Sequence, residues 1–295
     1  MEQQQQTKAY FEQSALDWQS KAISLGRNYN VIEARNNAVL SSIEKMGGIK
    51  KFLDVGCGTG QLVLEVAKSG VDAMGIDFAK DMIAQCEINR NAAGVEATFI
   101  NGSFFDLPPQ HNNFDVISAQ GFIEYIAPAQ MEEFFGRCFD LLRPGGALVV
   151  GSRNRLFNTI SLNKFTRLEI SLGTLESLVS EAISIHESTS QAAMFESLRK
   201  HEQIYPQPTS HPITGIGVDI RYQYSPAELI KRLRGHCFSP QFLFPVNFHG
   251  LPIAIKSEQP DFHSELAMLV EKLAPLDNRL IPYCSTFVLE AKRDS

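Results

Sequence analysis

The chain has 295 residues, 44% of them hydrophobic and 20% charged, enough for one large core or two ordinary ones without disulfide or metal staples. Twenty-seven Lys and Arg against thirty-three Asp and Glu give a net charge of −6, which argues against a general nucleic-acid binder. The charge is uneven: residues 1–150 hold 12 basic and 18 acidic side chains, residues 151–295 hold 15 of each, and six of the seven histidines fall in the second half.

From the N-terminus, MEQQQQTKAYFEQS has no basic region followed by an apolar stretch, so it does not read as a secretory signal. Gln3 to Gln6 reads as a disordered polar tail. No run approaches the ~18 apolar residues of a membrane span. Cys57, Cys86, Cys138, Cys237 and Cys284 are dispersed, with no CxxC pair and no metal-ligand spacing. They read as buried thiols of a cytoplasmic protein, and no metal is expected.

A helix is predicted over 31–43. Short apolar runs then alternate with amphipathic stretches across 50–152, the signature of βαβ units and a parallel sheet. Strands are predicted at 51–55, 71–76, 96–100, 114–119 and 147–151, and helices at 61–68, 80–92 and 129–142. Arg143-Pro144-Gly145-Gly146 ends the last of these helices and turns the chain into the fifth strand. From 152 to about 223 no strand is legible, only Ser, Leu and Glu at helical spacing and then a Pro/Gly/His-rich stretch over 206–217. An insertion of that length reads as a functional lid or substrate region. Ser225-Pro226-Ala227-Glu228 carries a helix-start signature, and 241–246 and 284–291 read as two last strands.

The strongest local signal is Leu53-Asp54-Val55-Gly56-Cys57-Gly58-Thr59-Gly60. Glycines between a strand and a helix let the backbone turn sharply and approach a ligand. The spacing is neither the G-x-G-x-x-G of dinucleotide enzymes nor a P-loop. An acid two residues before the first glycine suits a ligand that carries positive charge and no phosphate. Asp77 ends the second strand, where a carboxylate either accepts from both hydroxyls of a ribose or caps the next helix. Phe78 and Met82 are placed to cover an adenine face.

These segments together resemble the class I S-adenosylmethionine-dependent methyltransferases, including the ubiquinone and biotin biosynthesis type. The resemblance covers roughly 50–155, and less clearly 225–292. LDVGCGTG resembles the family's first motif and Asp77 its ribose acid. Gly102-Ser103-Phe104-Phe105-Asp106-Leu107-Pro108 resembles the segment that contacts adenine. Phe114-Asp115-Val116-Ile117 through Glu124-Tyr125-Ile126 resembles the fourth-strand motif, and Leu142-Arg143-Pro144-Gly145-Gly146 the turn before strand five. Ser103 stands where the family often has an acid, and Glu124-Tyr125 where ubiquinone-type relatives often have Glu-His.

The resemblance implies an α/β fold: a Rossmann-like, seven-stranded, mostly parallel sheet with an antiparallel last strand, here with an inserted helical lid. It divides the chain into an N-terminal helical segment over the cofactor site (1–45), an S-adenosylmethionine-binding core (46–155), the lid (156–224) and a C-terminal helix with the last strands (225–295). The implied cofactor residues are Asp54, Gly56, Gly58, Gly60, Asp77, Phe78, Met82, Ser103, Phe104 and Gln120, with Arg35 as partner of the cofactor's carboxylate. S-adenosyl-L-homocysteine is the implied product.

His249 and Tyr125 are the candidate general bases, and Arg153, Arg155, Phe248 and Tyr222 the candidate acceptor contacts. Each of these has an ordinary packing or solvent reading beside the functional one. The sequence reading is a cytoplasmic methyltransferase of a small-molecule acceptor, without nucleic acid or membrane span. A non-catalytic cofactor-binding module, and a protein or RNA methyltransferase, are the alternatives.

Overall fold

The computed structural model describes residues 2–22, 29–108, 112–212, 216–273 and 276–295. Parts of the N-terminal segment (23–28) and of the Pro/Gly/His-rich stretch (213–215) lie outside the described residues. In chain order the elements are α1 (Glu2–Gln13), α2 (Ala15–Ala22), α3 (Val31–Met46), β1 (Lys51–Val55), α4 (Gln61–Ala67), β2 (Asp72–Asp77), α5 (Lys80–Ala93), β3 (Thr98–Asn101), β4 (Phe114–Ala119), α6 (Pro128–Leu141) and β5 (Leu142–Arg153). Three helices follow, α7 (Lys164–Leu172), α8 (Leu175–His186) and α9 (Gln191–Leu198). The chain ends with α10 (Pro226–Gly235), β6 (Phe238–Phe248), α11 (Ile253–Glu258), α12 (Pro260–Leu273) and β7 (Cys284–Arg293).

One sheet takes in all seven strands in the order β3-β2-β1-β4-β5-β7-β6. The five strands from β3 to β5 pair in parallel, while β7 runs antiparallel to both β5 and β6. Strands buried on both faces read as apolar runs, and alternate residues serve opposite layers. Leu53, Ile117 and Leu148 face one core cluster, while Phe52, Val116 and Val149 face the other. The second layer is built by α3, α4 and neighbours through Val39, Leu62, Val63 and Val66.

Three expectations change. Gln3 to Gln6 is not a tail but part of α1. Glutamine is a good helix former, and tertiary contacts hold the helix: Thr7 is buried, and Gln3 Nε2 donates to the Tyr125 carbonyl at 3.2 Å. The helices of the 156–224 insertion, expected as a lid or substrate region, pack into the core, and of that segment's described residues only Arg221 lines the cavity at the carboxyl ends of the strands. Leu178, Ile185, Met194 and Leu198 are fully buried in the larger cluster, beside Leu243 of β6 and Ile281. Finally, α11 and α12 occupy a stretch the periodicity left unassigned. There α12 turns His263, Ser264 and Ala267 inward.

Candidate functional site

The carboxyl ends of β1, β2 and β4 open into one cavity of about 250 Å³. The loop after β1 forms its floor. Gly56, Gly58 and Gly60 all have positive φ, at 71°, 55° and 85°. A Cβ on Gly60 would also lie 2.9 Å from the Phe99 ring, so no other residue fits that turn into α4. The close approach of β2 has the same cause: a Cβ on Gly75 would lie 2.8 Å from Cys57 Sγ.

Two buried acids face this loop. Asp77 accepts hydrogen bonds from the Gly58 amide at 3.1 Å and the Ala79 amide at 2.9 Å. Burial pushes its carboxyl up to about 6 against the pull of those amides. Asp54, at the tip of β1, is pushed by burial up to about 7, and its Oδ1 has no hydrogen-bond partner. A desolvated carboxylate with one oxygen left unpartnered in a cavity wall is a site for a cationic or hydroxyl-bearing ligand.

Beside these acids the wall is apolar. Phe78 comes from the link between β2 and α5, Met82 from the first turn of α5, and Phe104 from the turn after β3. Ser103 also lines the cavity, but its hydroxyl is occupied by the Phe105 amide at 3.2 Å. Gln120 lines it with Nε2 donating to the Val149 carbonyl at 2.9 Å, which leaves Oε1 without a partner.

The opposite wall is built by elements far apart in sequence. Arg35 of α3 donates from Nη2 to Thr286 Oγ1 at 3.3 Å, and burial lowers its guanidinium from its ordinary value. Glu124 accepts from Arg221 Nη2 at 2.8 Å and Nε at 3.2 Å. Burial raises the Glu124 carboxyl, but Arg221, Arg35 and Arg153 outweigh it and hold the group below its usual range. Phe11 meets the Tyr125 ring edge-on at 5.3 Å, and Trp18 packs 5.7 Å from Phe11. Helices α1 and α2 therefore contribute to the cover of the cavity through Phe11 and Trp18, and the insertion contributes Arg221.

Of the residues picked out from sequence, Asp54, Gly56, Gly58, Asp77, Phe78, Met82, Ser103, Phe104, Gln120, Arg35 and Tyr125 line this cavity. Gly60 stands just behind it as the residue before α4.

Five others lie elsewhere and need correction. His249 is buried between Phe157 at 4.7 Å and His263 at 5.0 Å, with Nε2 3.0 Å from Ser285 Oγ. Burial pushes its imidazole down to about 3, and it does not line the cavity. Arg155 does not face a ligand either, since Glu169 accepts from its Nε and Nη2 at 3.0 and 2.8 Å in the core. Arg153 lies behind Glu124 at 4.0 Å and packs over Phe165. Tyr222 is buried edge-on to His211 at 5.4 Å, and only its backbone amide reaches toward the site, donating to the Glu124 carbonyl at 2.8 Å. Phe248 is half-buried at the end of β6, outside the cavity.

Sequence reasoning missed Arg221, Phe11 and Trp18. Phe11, Ala15 and Trp18 sit at helical spacing on one apolar face, a signal that was available. Arg221 carries no local signal.

The strand order with a reversed strand between the fifth and sixth, and the glycine loop facing two strand-tip acids, define the class I S-adenosylmethionine-dependent methyltransferase fold. Residues 52–146 match the family described as Methyltransferase domain. Among curated relatives, a ubiquinone biosynthesis O-methyltransferase of Azorhizobium caulinodans is 29% identical over 121 residues, 41% of this chain and 47% of the relative. Its counterpart in Vibrio parahaemolyticus is 26% identical over 164 residues, 54% of this chain and 68% of the relative. The chain thus spans about half the length of the first of these relatives. Among solved structures, the Burkholderia thailandensis 1,6-didemethyltoxoflavin-N1-methyltransferase, with 1,6-didemethyltoxoflavin and S-adenosylhomocysteine bound, superposes with a TM-score of 0.58 at 13% identity, covering 100% of this chain and 90% of that one. At that identity the likeness is one of fold.

Proposed function

We propose that this chain transfers the methyl group of S-adenosylmethionine to a small-molecule acceptor, with an oxygen nucleophile favoured by the names of its relatives. The observation that carries this reading is the continuity of the cavity. Its acidic, glycine-lined end and its aromatic, arginine-bearing end form one space.

The residues present fit the cofactor. Asp77 keeps lone pairs for ribose hydroxyls beyond its two amide bonds. Phe78, Met82 and Phe104 offer apolar surface to the adenine, and Arg35 a counter-charge to the carboxylate. The unpartnered Asp54 Oδ1 answers the cationic end. When bound, the cofactor supplies an electrophilic methyl on a sulfonium.

What remains for the protein is alignment and exclusion of water. Proximity and orientation alone contribute up to roughly 7–11 kcal/mol. Among the described residues no histidine lines the cavity. The Tyr125 phenol is held neutral, because burial and the Glu124 charge both raise its pKa. This site therefore favours an acceptor acidic enough to give up its own proton.

A cytoplasmic location is part of the reading, supported by five free cysteines, four of them buried. The net charge of −6 supports a small acceptor over nucleic acid. The test is calorimetric binding of S-adenosylhomocysteine, followed by transfer of labelled methyl into a metabolite extract. Binding with transfer is expected. Binding with no transfer points to the non-catalytic module, and no binding ends the reading.

A further inference from the structure

The two ends of the cavity carry opposite charge. Asp54 and Asp77 make one end acidic, while the other gathers guanidinium groups around a single carboxylate. Glu124 is 2% exposed and faces three arginines. Arg221 hydrogen-bonds it, Arg153 Nε stands 4.0 Å away, and Arg35 lies beside it at Gly121. One carboxylate cannot neutralise three cations, and a buried guanidinium without counter-charge is costly. Two of the three are short of partners, since Arg35 Nε and Arg153 Nη1 are buried without a hydrogen bond.

The cofactor removes one charge of this surplus of two. Its carboxylate meets Arg35, while its cationic end is answered by Asp54 at the acidic end. With that carboxylate assigned to Arg35, the surplus still calls for one further monoanion. A phosphate dianion would exceed it, whereas a carboxylate matches it and suits the planar fork of arginine.

Arg221 is the arginine placed to receive it. It lines the cavity, and its guanidinium lies 5.5 Å over the Tyr125 ring. Tyr125 and Phe11 stand edge to face at 5.3 Å in the same wall, an arrangement that accepts a flat ring. We propose that the acceptor is a small aromatic carboxylic acid, with its carboxylate on Arg221 and its ring against Phe11 and Tyr125. Glu124 presets the Arg221 fork. This inference rests on the cofactor-dependent reading above.

The chain has one tryptophan, and Trp18 lines the cavity, so its emission reports occupancy directly. Protein saturated with S-adenosylhomocysteine is titrated with benzoate and, separately, with its neutral counterpart benzamide. Benzoate is expected to change Trp18 emission saturably, with benzamide at least about tenfold weaker. Arg221→Gln is expected to erase that preference and Arg221→Lys to retain part of it. The wild-type comparison stands even where a variant folds poorly. Equal binding of the two probes, or no benzoate binding by protein that does bind S-adenosylhomocysteine, overturns the acid subsite. Failure to bind S-adenosylhomocysteine overturns the cofactor reading and this one with it.

Discussion

Asp77 and Gly58, nineteen residues apart, hold the tip of β2 and the glycine loop together through a hydrogen bond of 3.1 Å from the Gly58 amide to Asp77 Oδ2. The other oxygen accepts from Ala79 at the start of α5. One carboxylate thus shapes the cradle and still presents lone pairs to a ligand. Asp77→Ala is expected to weaken S-adenosylhomocysteine binding by about 1–3 kcal/mol and to lower the melting temperature of the free protein. Asp77→Asn, which keeps one acceptor, should lose less of both. Calorimetry decides the point, and an unchanged affinity in the alanine variant removes the ribose assignment.

The same acids predict a pH dependence. Burial raises Asp54 to about 7 and Asp77 to about 6 in the folded, unliganded chain. Unfolded, both titrate near about 4. The folded state therefore binds more protons between these limits, and stability of the free protein falls as pH rises from about 4 to about 7. A cationic ligand prefers the ionised carboxylates, so its affinity should move the other way. It should rise with pH across 6 to 7, by up to about tenfold per unit for each proton released, and level off above. Asp54→Asn should flatten most of that slope. A flat profile in the wild type would show that the acids are already ionised without ligand.

What could be read from the sequence was chemistry held on contiguous residues at strand tips. Asp54, the loop glycines and Asp77 lie within 25 residues, and parallel pairing of β1 with β2 brings them together without further information. The basic wall has no such local origin. Arg221 reaches Glu124 across 97 residues and Arg35 reaches Thr286 across 251. Arg153 and Arg155 were legible as charges at the right edge of the sheet. Their direction was not, because it depends on Glu124 and Glu169 buried beneath them. The insertion misled for a related reason: apolar residues at helical spacing show that a helix buries a face, not which face of the sheet receives it.

Arg155 gives a direct check on that correction. Its guanidinium is almost fully buried and fixed by Glu169, which also accepts from Asn158 Nδ2 at 2.7 Å and Thr174 Oγ1 at 2.6 Å. Removing one partner of a buried pair costs about 3–5 kcal/mol, because the other charge is stranded. Arg155→Ala should lose stability of that order in denaturant unfolding, and Arg155→Met with Glu169→Leu should recover part of it. Folded Arg155→Ala protein should bind S-adenosylhomocysteine with wild-type affinity. A selective loss of acceptor affinity at unchanged stability would return Arg155 to the site.

The roles of the two helical segments separate in a paired substitution. Leu178 of α8 is fully buried in the core, whereas Phe11 of α1 lines the cavity against Tyr125 and Trp18. Leu178→Ala leaves a cavity among packed aliphatic side chains and is expected to cost about 2–5 kcal/mol of stability. It should leave S-adenosylhomocysteine affinity near wild type, since no residue of α7 to α9 borders the ligand space. Phe11→Ala loses an aromatic pair worth about 0.5–1.5 kcal/mol beyond its area, and it opens the cover. Its main effect should be a several-fold loss of ligand affinity and a red shift of Trp18 emission as water enters, with a smaller drop in melting temperature. If Leu178→Ala weakens the ligand at unchanged stability while Phe11→Ala does not, the helices of the insertion are the cover after all and α1 is only a packed appendage.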